Sequence, residues 1–127
     1  MSIYEDTDAG GVVYHANYLK FLERARSEWL RSRGFEQDRL IREERAIFAI
    51  RQVLADFLRP ARFNDLLQVD VKIKNHGKAS LRFEQQIYRE SKEILCRAEV
   101  WTVCLDPETF RPRPIPKAVL AELSHGG

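Results

Sequence analysis

The hydrophobic period of this chain drops from helical to two near residue 45, and that change limits the folds open to it. From about Asn17 to Arg33, the residues Tyr18, Phe21, Leu22, Ala25 and Trp29 fall at i, i+3, i+4, i+7 and i+11. Lys20, Glu23, Arg24, Ser27 and Arg31 lie largely off that face. The spacing predicts one long helix with a single apolar stripe. Gly34, directly after Arg31-Ser32-Arg33, is a stop signal with cations at the negative end of the helix dipole. A second, shorter helix is expected around Gln37–Glu44. Beyond it the period is two. Ile47–Leu58 is a long, mostly apolar run, and Leu67, Val69, Val71 and Ile73 alternate with Gln68, Asp70, Lys72 and Lys74. After an Asn75-His76-Gly77-Lys78 turn, Leu81, Phe83, Gln85 and Ile87 alternate in the same way. Glu90-Ser91-Lys92 turns the chain into a last strand at Leu95–Leu105. Residues 2–5 read as the end of a further strand, and a short helix is expected at Lys117–Leu123 after a proline-rich tail.

Turns this short join antiparallel neighbours, and a helix with one apolar stripe must bury it against something. The economical arrangement is an α+β fold, a curved antiparallel sheet wrapped around a long central helix. The 127 residues fit a single domain, 1–127, that buries roughly two-thirds of its unfolded surface. No run approaches about eighteen consecutive apolar residues, so no membrane insertion is expected. A basic region followed by a long apolar run is also missing at the N-terminus, so no signal peptide is expected. With 21 basic against 19 acidic side chains, interleaved as in Glu43-Glu44-Arg45, the charge does not call for nucleic acid. A cytoplasmic protein is expected.

The cysteines agree. Cys96 and Cys104 share the last predicted strand, which puts them roughly 26 Å apart at about 3.3 Å per residue. A disulfide needs Cα atoms within about 7 Å. Two buried free thiols are therefore expected. No C-x-x-C pair and no histidine cluster suggests a metal.

Chemistry concentrates in Asp8-Ala9-Gly10-Gly11-Val12-Val13-Tyr14-His15-Ala16-Asn17-Tyr18. An acid precedes a glycine-permitted loop that runs into the start of the long helix. The first helical turn offers unpaired backbone N–H groups and the positive end of the dipole. Such donors polarise a carbonyl, and a carboxylate held nearby can attack it or activate water. On spacing alone, the same residues also read as a turn capped by Asp8 and shaped by its glycines. Glu23, on the helix, is followed by Arg26 at i+3, and the pair reads as a solvated or subunit-facing salt bridge.

The segment Tyr4-Glu5-Asp6-Thr7-Asp8-Ala9-Gly10-Gly11-Val12-Val13-Tyr14-His15-Ala16, followed by Glu23-Arg24-Ala25-Arg26, resembles the active-site signature of the hotdog-fold acyl-CoA thioesterases. The resemblance is to the branch containing 4-hydroxybenzoyl-CoA thioesterase and the YbgC proteins encoded beside the bacterial Tol-Pal system. Pro60-Ala61-Arg62, Ala98-Glu99-Val100, Asp106-Pro107 and Arg111-Pro112 extend it over about residues 3–120. It implies that Asp8 is the catalytic carboxylate and that the backbone N–H of His15 faces the thioester carbonyl. It also makes the His15 side chain a candidate for contact with substrate or water, and gives Gly10, Gly11 and Val12 the shaping of the loop.

Coenzyme A contacts would fall on Lys78, Ala79 and Ser80, with Arg62 as a further phosphate ligand and Arg111, Arg113 and Lys117 as weaker candidates. The implied reaction is hydrolysis of an acyl-CoA by water without metal or cofactor. An acyl carrier protein is the other carrier in play. The implied assembly is a homotetramer, a dimer of dimers, with each site at a subunit boundary. Apolar Trp101, Val103 and Leu105 on the outer face of the last strand agree with such burial. The competing reading is a non-catalytic acyl-carrier or envelope-complex interaction protein on the same fold. Relatives carry several residues before the Tyr-Glu-Asp segment, so a shortened first strand is expected here.

Overall fold

A computed structural model describes residues 2–6, 14–61 and 66–126. The elements in chain order are β1 (Ser2–Asp6), α1 (Tyr14–Ser32), α2 (Gln37–Arg39) with a π-helical turn at Leu40–Glu44, β2 (Ile47–Phe57), β3 (Leu66–His76), β4 (Ser80–Arg89), β5 (Ile94–Leu105) and α3 (Lys117–Gly126). The five strands form one antiparallel sheet in the order β1-β3-β4-β5-β2. Helix and strands share a single core, as the change of period requires.

The α1 stripe is the centre of that core. Tyr18, Leu22, Ala25 and Trp29 are all buried, together with Leu67, Val69, Val71, Leu81, Phe83, Ile87 and the alternating β5 residues Cys96, Ala98, Val100, Thr102 and Cys104. The Trp29 indole meets the Phe83 ring edge-on, with centroids 5.7 Å apart, a preferred aromatic geometry. Both cysteines are free and buried. Burial, with a smaller push from Asp56, raises the Cys96 thiol to about 11.

The end of α1 shows why Gly34 stands where it does. Phe35 N–H bonds Leu30 C=O and Gly34 N–H bonds Arg31 C=O, each at 2.9 Å. That double closure needs a left-handed residue, and Gly34 has φ +84°. The helix itself begins three residues earlier than the apolar stripe suggested, because Tyr14, His15 and Ala16 continue its backbone ahead of the first buried position. The second helix differs more. Its expected span divides into one α turn and a π turn, closed by Ala46 N–H on Leu40 C=O and by Arg45 in the left-handed region at φ 49°. Arg113 holds this irregular end from the tail, its Nη1 donating to the carbonyls of Glu44 at 2.7 Å and Arg45 at 3.1 Å.

The edges of the sheet are unequal. β1 is five residues long, whereas β2 runs for eleven and has one strand neighbour, β5. Ile50, Val53 and Leu54 of β2 and the following Leu58 are exposed, Leu54 by 58%. Trp101, Val103 and Leu105 are only half-buried, so the apolar surface expected on β5 continues more strongly on β2. Among the described residues no helix is long and apolar enough to cross a membrane.

Candidate active site

β1 ends at Asp6 and α1 begins at Tyr14. The seven intervening residues carry Asp8, Gly10, Gly11 and Val12, and all four expectations lie outside the described residues. His15 belongs to the first turn of α1 by its backbone. That turn contains no acidic residue, so no side chain of the helix itself offsets the positive end of its dipole. One turn further in, the Tyr18 hydroxyl donates to Arg59 C=O at 2.9 Å, tying the start of α1 to the segment after β2. Leu58 N–H and Arg59 N–H both bond Leu95 C=O, and Arg89 Nη2 bonds Pro60 C=O, so the chain is anchored up to Ala61. Arg62 itself lies outside the described residues. Asp6 and Leu66 are paired across β1 and β3. The stretches holding Asp8 and Arg62 therefore attach to the sheet at directly facing residues.

The Lys78-Ala79-Ser80 turn is built for rigidity. Gly77 N–H bonds Ser80 C=O at 2.9 Å, and a Cβ on Gly77 would come within 2.8 Å of Ser80 Oγ, so a larger residue there would have to turn that hydroxyl aside. Lys78 C=O accepts from Ile115 N–H and Ala79 C=O from Cys104 N–H, leaving the Lys78 side chain exposed. This turn follows His76, at the opposite end of β3 from Leu66. Along eleven residues of strand the separation is roughly 33 Å. One chain thus keeps Lys78, Ala79 and Ser80 a sheet's length away from the start of α1, whereas the stretch holding Arg62 joins the sheet opposite the stretch holding Asp8. Arg113 is committed to the carbonyls of Glu44, Arg45 and Pro114 rather than free for a phosphate.

Two residues to which the sequence reading gave no role in the site form a buried polar contact. Arg26 is 8% exposed and its Nη1 donates to Gln85 Oε1 at 2.9 Å. Gln85, 1% exposed, returns its Nε2–H to Leu22 C=O at 3.0 Å. The expected surface pair of Glu23 with Arg26 is therefore not formed, because Arg26 turns inward. Burial lowers the Arg26 pKa, and the attraction of Glu23 opposes this more weakly. The signal was present: Gln85 is the polar member of the inward series Leu81, Phe83, Gln85, Ile87, and a buried amide needs partners.

Residues 4–123 match the Thioesterase-like superfamily. The chain is 45% identical over 119 residues to the acyl-CoA thioester hydrolase YbgC of Escherichia coli O6:H1, covering 94% of this chain and 88% of that one. It is 41% identical to the acyl-CoA thioesterase YbgC of Haemophilus influenzae, with 96% and 89% covered. The crystal structure of a probable thioesterase from Bartonella henselae superposes with a TM-score of 0.82 at 34% identity, over 91% of this chain and 98% of that one. A sheet wrapped around α1 and this level of identity together mean that the chain belongs to the YbgC-type thioesterases of the hotdog fold.

Proposed function

We propose that this thioester hydrolase acts on acyl-CoA in the cytoplasm, with Asp8 as its catalytic carboxylate. The observation that carries the reading is the entry to α1: a short connection containing Asp8 leads from β1 into a helix whose first turn holds no acid of its own. Unpaired N–H groups of that first turn, that of His15 among them, would draw charge onto the thioester oxygen as the carbonyl carbon is attacked. Asp8 either attacks that carbon, giving a mixed anhydride that water then opens, or takes a proton from the attacking water. In both routes the carbon–sulfur bond breaks, coenzyme A leaves as thiol, and the acid is released. Gly10, Gly11 and Val12 shape the loop, the His15 side chain contacts substrate or water, and Lys78, Ala79, Ser80 and Arg62 receive the coenzyme A end.

General-base catalysis contributes about 10²–10⁴-fold. Asp8→Asn is expected to lower kcat by at least about 100-fold, with KM little changed. Glu23→Gln stays within roughly tenfold. Free-thiol release from a panel of acyl-CoAs measures both, and the reverse ranking would move the catalytic role to the helix acid. No release from any acyl-CoA would sink the reading.

The same proposal includes assembly as a homotetramer built from dimers. An eleven-residue edge strand exposing Ile50, Val53 and Leu54 is a template for a second copy. Two-fold antiparallel pairing of β2 would lay the end of one subunit that bears the start of α1 beside the partner's end that bears the Lys78 turn. That would bridge the separation found within one chain. Placing Lys at both Val53 and Leu54 is expected to yield monomers by light scattering and to cut activity by about tenfold or more, since positioning across the boundary is lost. A fully active monomer would refute the shared site.

A further inference from the structure

An open cavity of about 440 Å³ lies beside the second half of α1, bounded by the α2 region and the start of β2. Its lining is mixed. Phe48, Leu40 and Phe83 supply apolar wall, while Arg26 and Thr102 contribute the polar groups set deepest in the fold. Thr102 spends its hydroxyl hydrogen on Leu81 C=O at 3.2 Å. Arg26 itself lines the cavity, with its Nη1 engaged by Gln85.

We propose that Arg26 is a specificity residue, receiving a carboxylate carried at the far end of the substrate's acyl group. This rests on the thioesterase reading above. A guanidinium has five N–H donors in a planar fork suited to a carboxylate, and here no carboxylate is bonded to it. Its one side-chain partner is a neutral amide, which fixes its orientation without neutralising it. The other cation lining the cavity, Arg31, is engaged by Glu28 at 2.9 Å. Glu23 and Glu36 at the same cavity repel an anion, so any preference for one depends on Arg26. Position supports the assignment too. Arg26 stands roughly 18 Å along α1 from Tyr14 at about 1.5 Å per residue. Its long side chain leans back toward the helix N-terminus. That rise puts Arg26 beyond the reach of a very short acyl group held at the start of α1.

The test compares kcat/KM for suberyl-CoA and octanoyl-CoA, which match in length and differ in the terminal carboxylate. In wild type the ratio is expected to favour suberyl-CoA, and in Arg26→Met the ratio should fall by about tenfold or more, with Arg26→Lys recovering part of it. A well-folded Met variant with an unchanged ratio would make Arg26 a purely structural residue. A second measurement needs neither a variant nor turnover: suberate should raise the melting temperature of the wild-type protein in a titration where octanoate at equal concentration does so less. Equal effects overturn the proposal. Suberate binding without hydrolysis of any acyl-CoA would break the thioesterase reading alone, whereas hydrolysis without either carboxylate preference would break this one alone.

Discussion

β4 places polar groups in two contrasting settings three residues apart. On its inner face Gln85 holds Arg26 at 2.9 Å and is itself held by Leu22 C=O, all within the core. On the outer face Arg82 lies over the Trp101 ring at 4.3 Å and shares Glu99 with Lys74, at 2.7 and 2.5 Å. The outer cluster has the better charge balance and the inner one has no carboxylate in contact, yet the inner cluster should matter more. Water can replace much of what Glu99 supplies, whereas it reaches Arg26 only from the cavity side and does not reach Gln85, which is 1% exposed. Desolvation, rather than the number of opposite charges, ranks the two.

The largest effect should come from Gln85→Leu, which strands a buried guanidinium and frees Leu22 C=O. A loss of about 2–4 kcal/mol is expected in urea unfolding. A loss below about 1 kcal/mol would mean that Arg26 swings out to solvent and that the two faces are alike. The smallest should come from Glu99→Gln, within about 2 °C of the wild-type melting temperature, and shrinking further in added salt. Its pH behaviour sharpens the contrast. Hydrogen bonds from Lys74 and then Arg82 hold the Glu99 carboxyl below its ordinary value. Its contribution is therefore present above the unfolded-state pKa and is lost as pH falls through the lower folded value. The wild type and Glu99→Gln melting curves should differ near neutrality and converge in acid. A difference that grew on acidification would reverse the sign assigned here.

Much of the fold was legible because each element obeys one period. The β3 and β4 alternations were read in register with their burial, and Gly34 ended α1 where a left-handed residue was needed. The π turn at Leu40–Glu44 was not legible, since its closure depends on Arg113, some seventy residues away in sequence, as well as on local bonds. Arg26 was misjudged for a related reason. Local i+3 spacing offered Glu23 as partner, while the actual partner sits on a strand 59 residues later. For the site, the motif containing Asp8 was legible as a motif. The separation between the start of α1 and the Lys78 turn was not, because it is a property of strand order.

That strand order also governs how the chain can be made. β3, β4 and β5 follow one another through short turns, so each finds its neighbour almost as soon as it leaves the ribosome. β2 does not. It is translated before β3, yet its strand neighbour is β5, whose pairing runs from Ile47 opposite Leu105 to Phe57 opposite Cys96. Throughout the synthesis of β3 and β4 an apolar eleven-residue strand waits with neither edge paired. At about 5–20 residues per second the wait lasts a few seconds, long enough for encounters between nascent chains on one polysome. Slower initiation or a lower growth temperature, which space those chains apart or weaken apolar association, should raise the soluble yield without touching a residue of the native state.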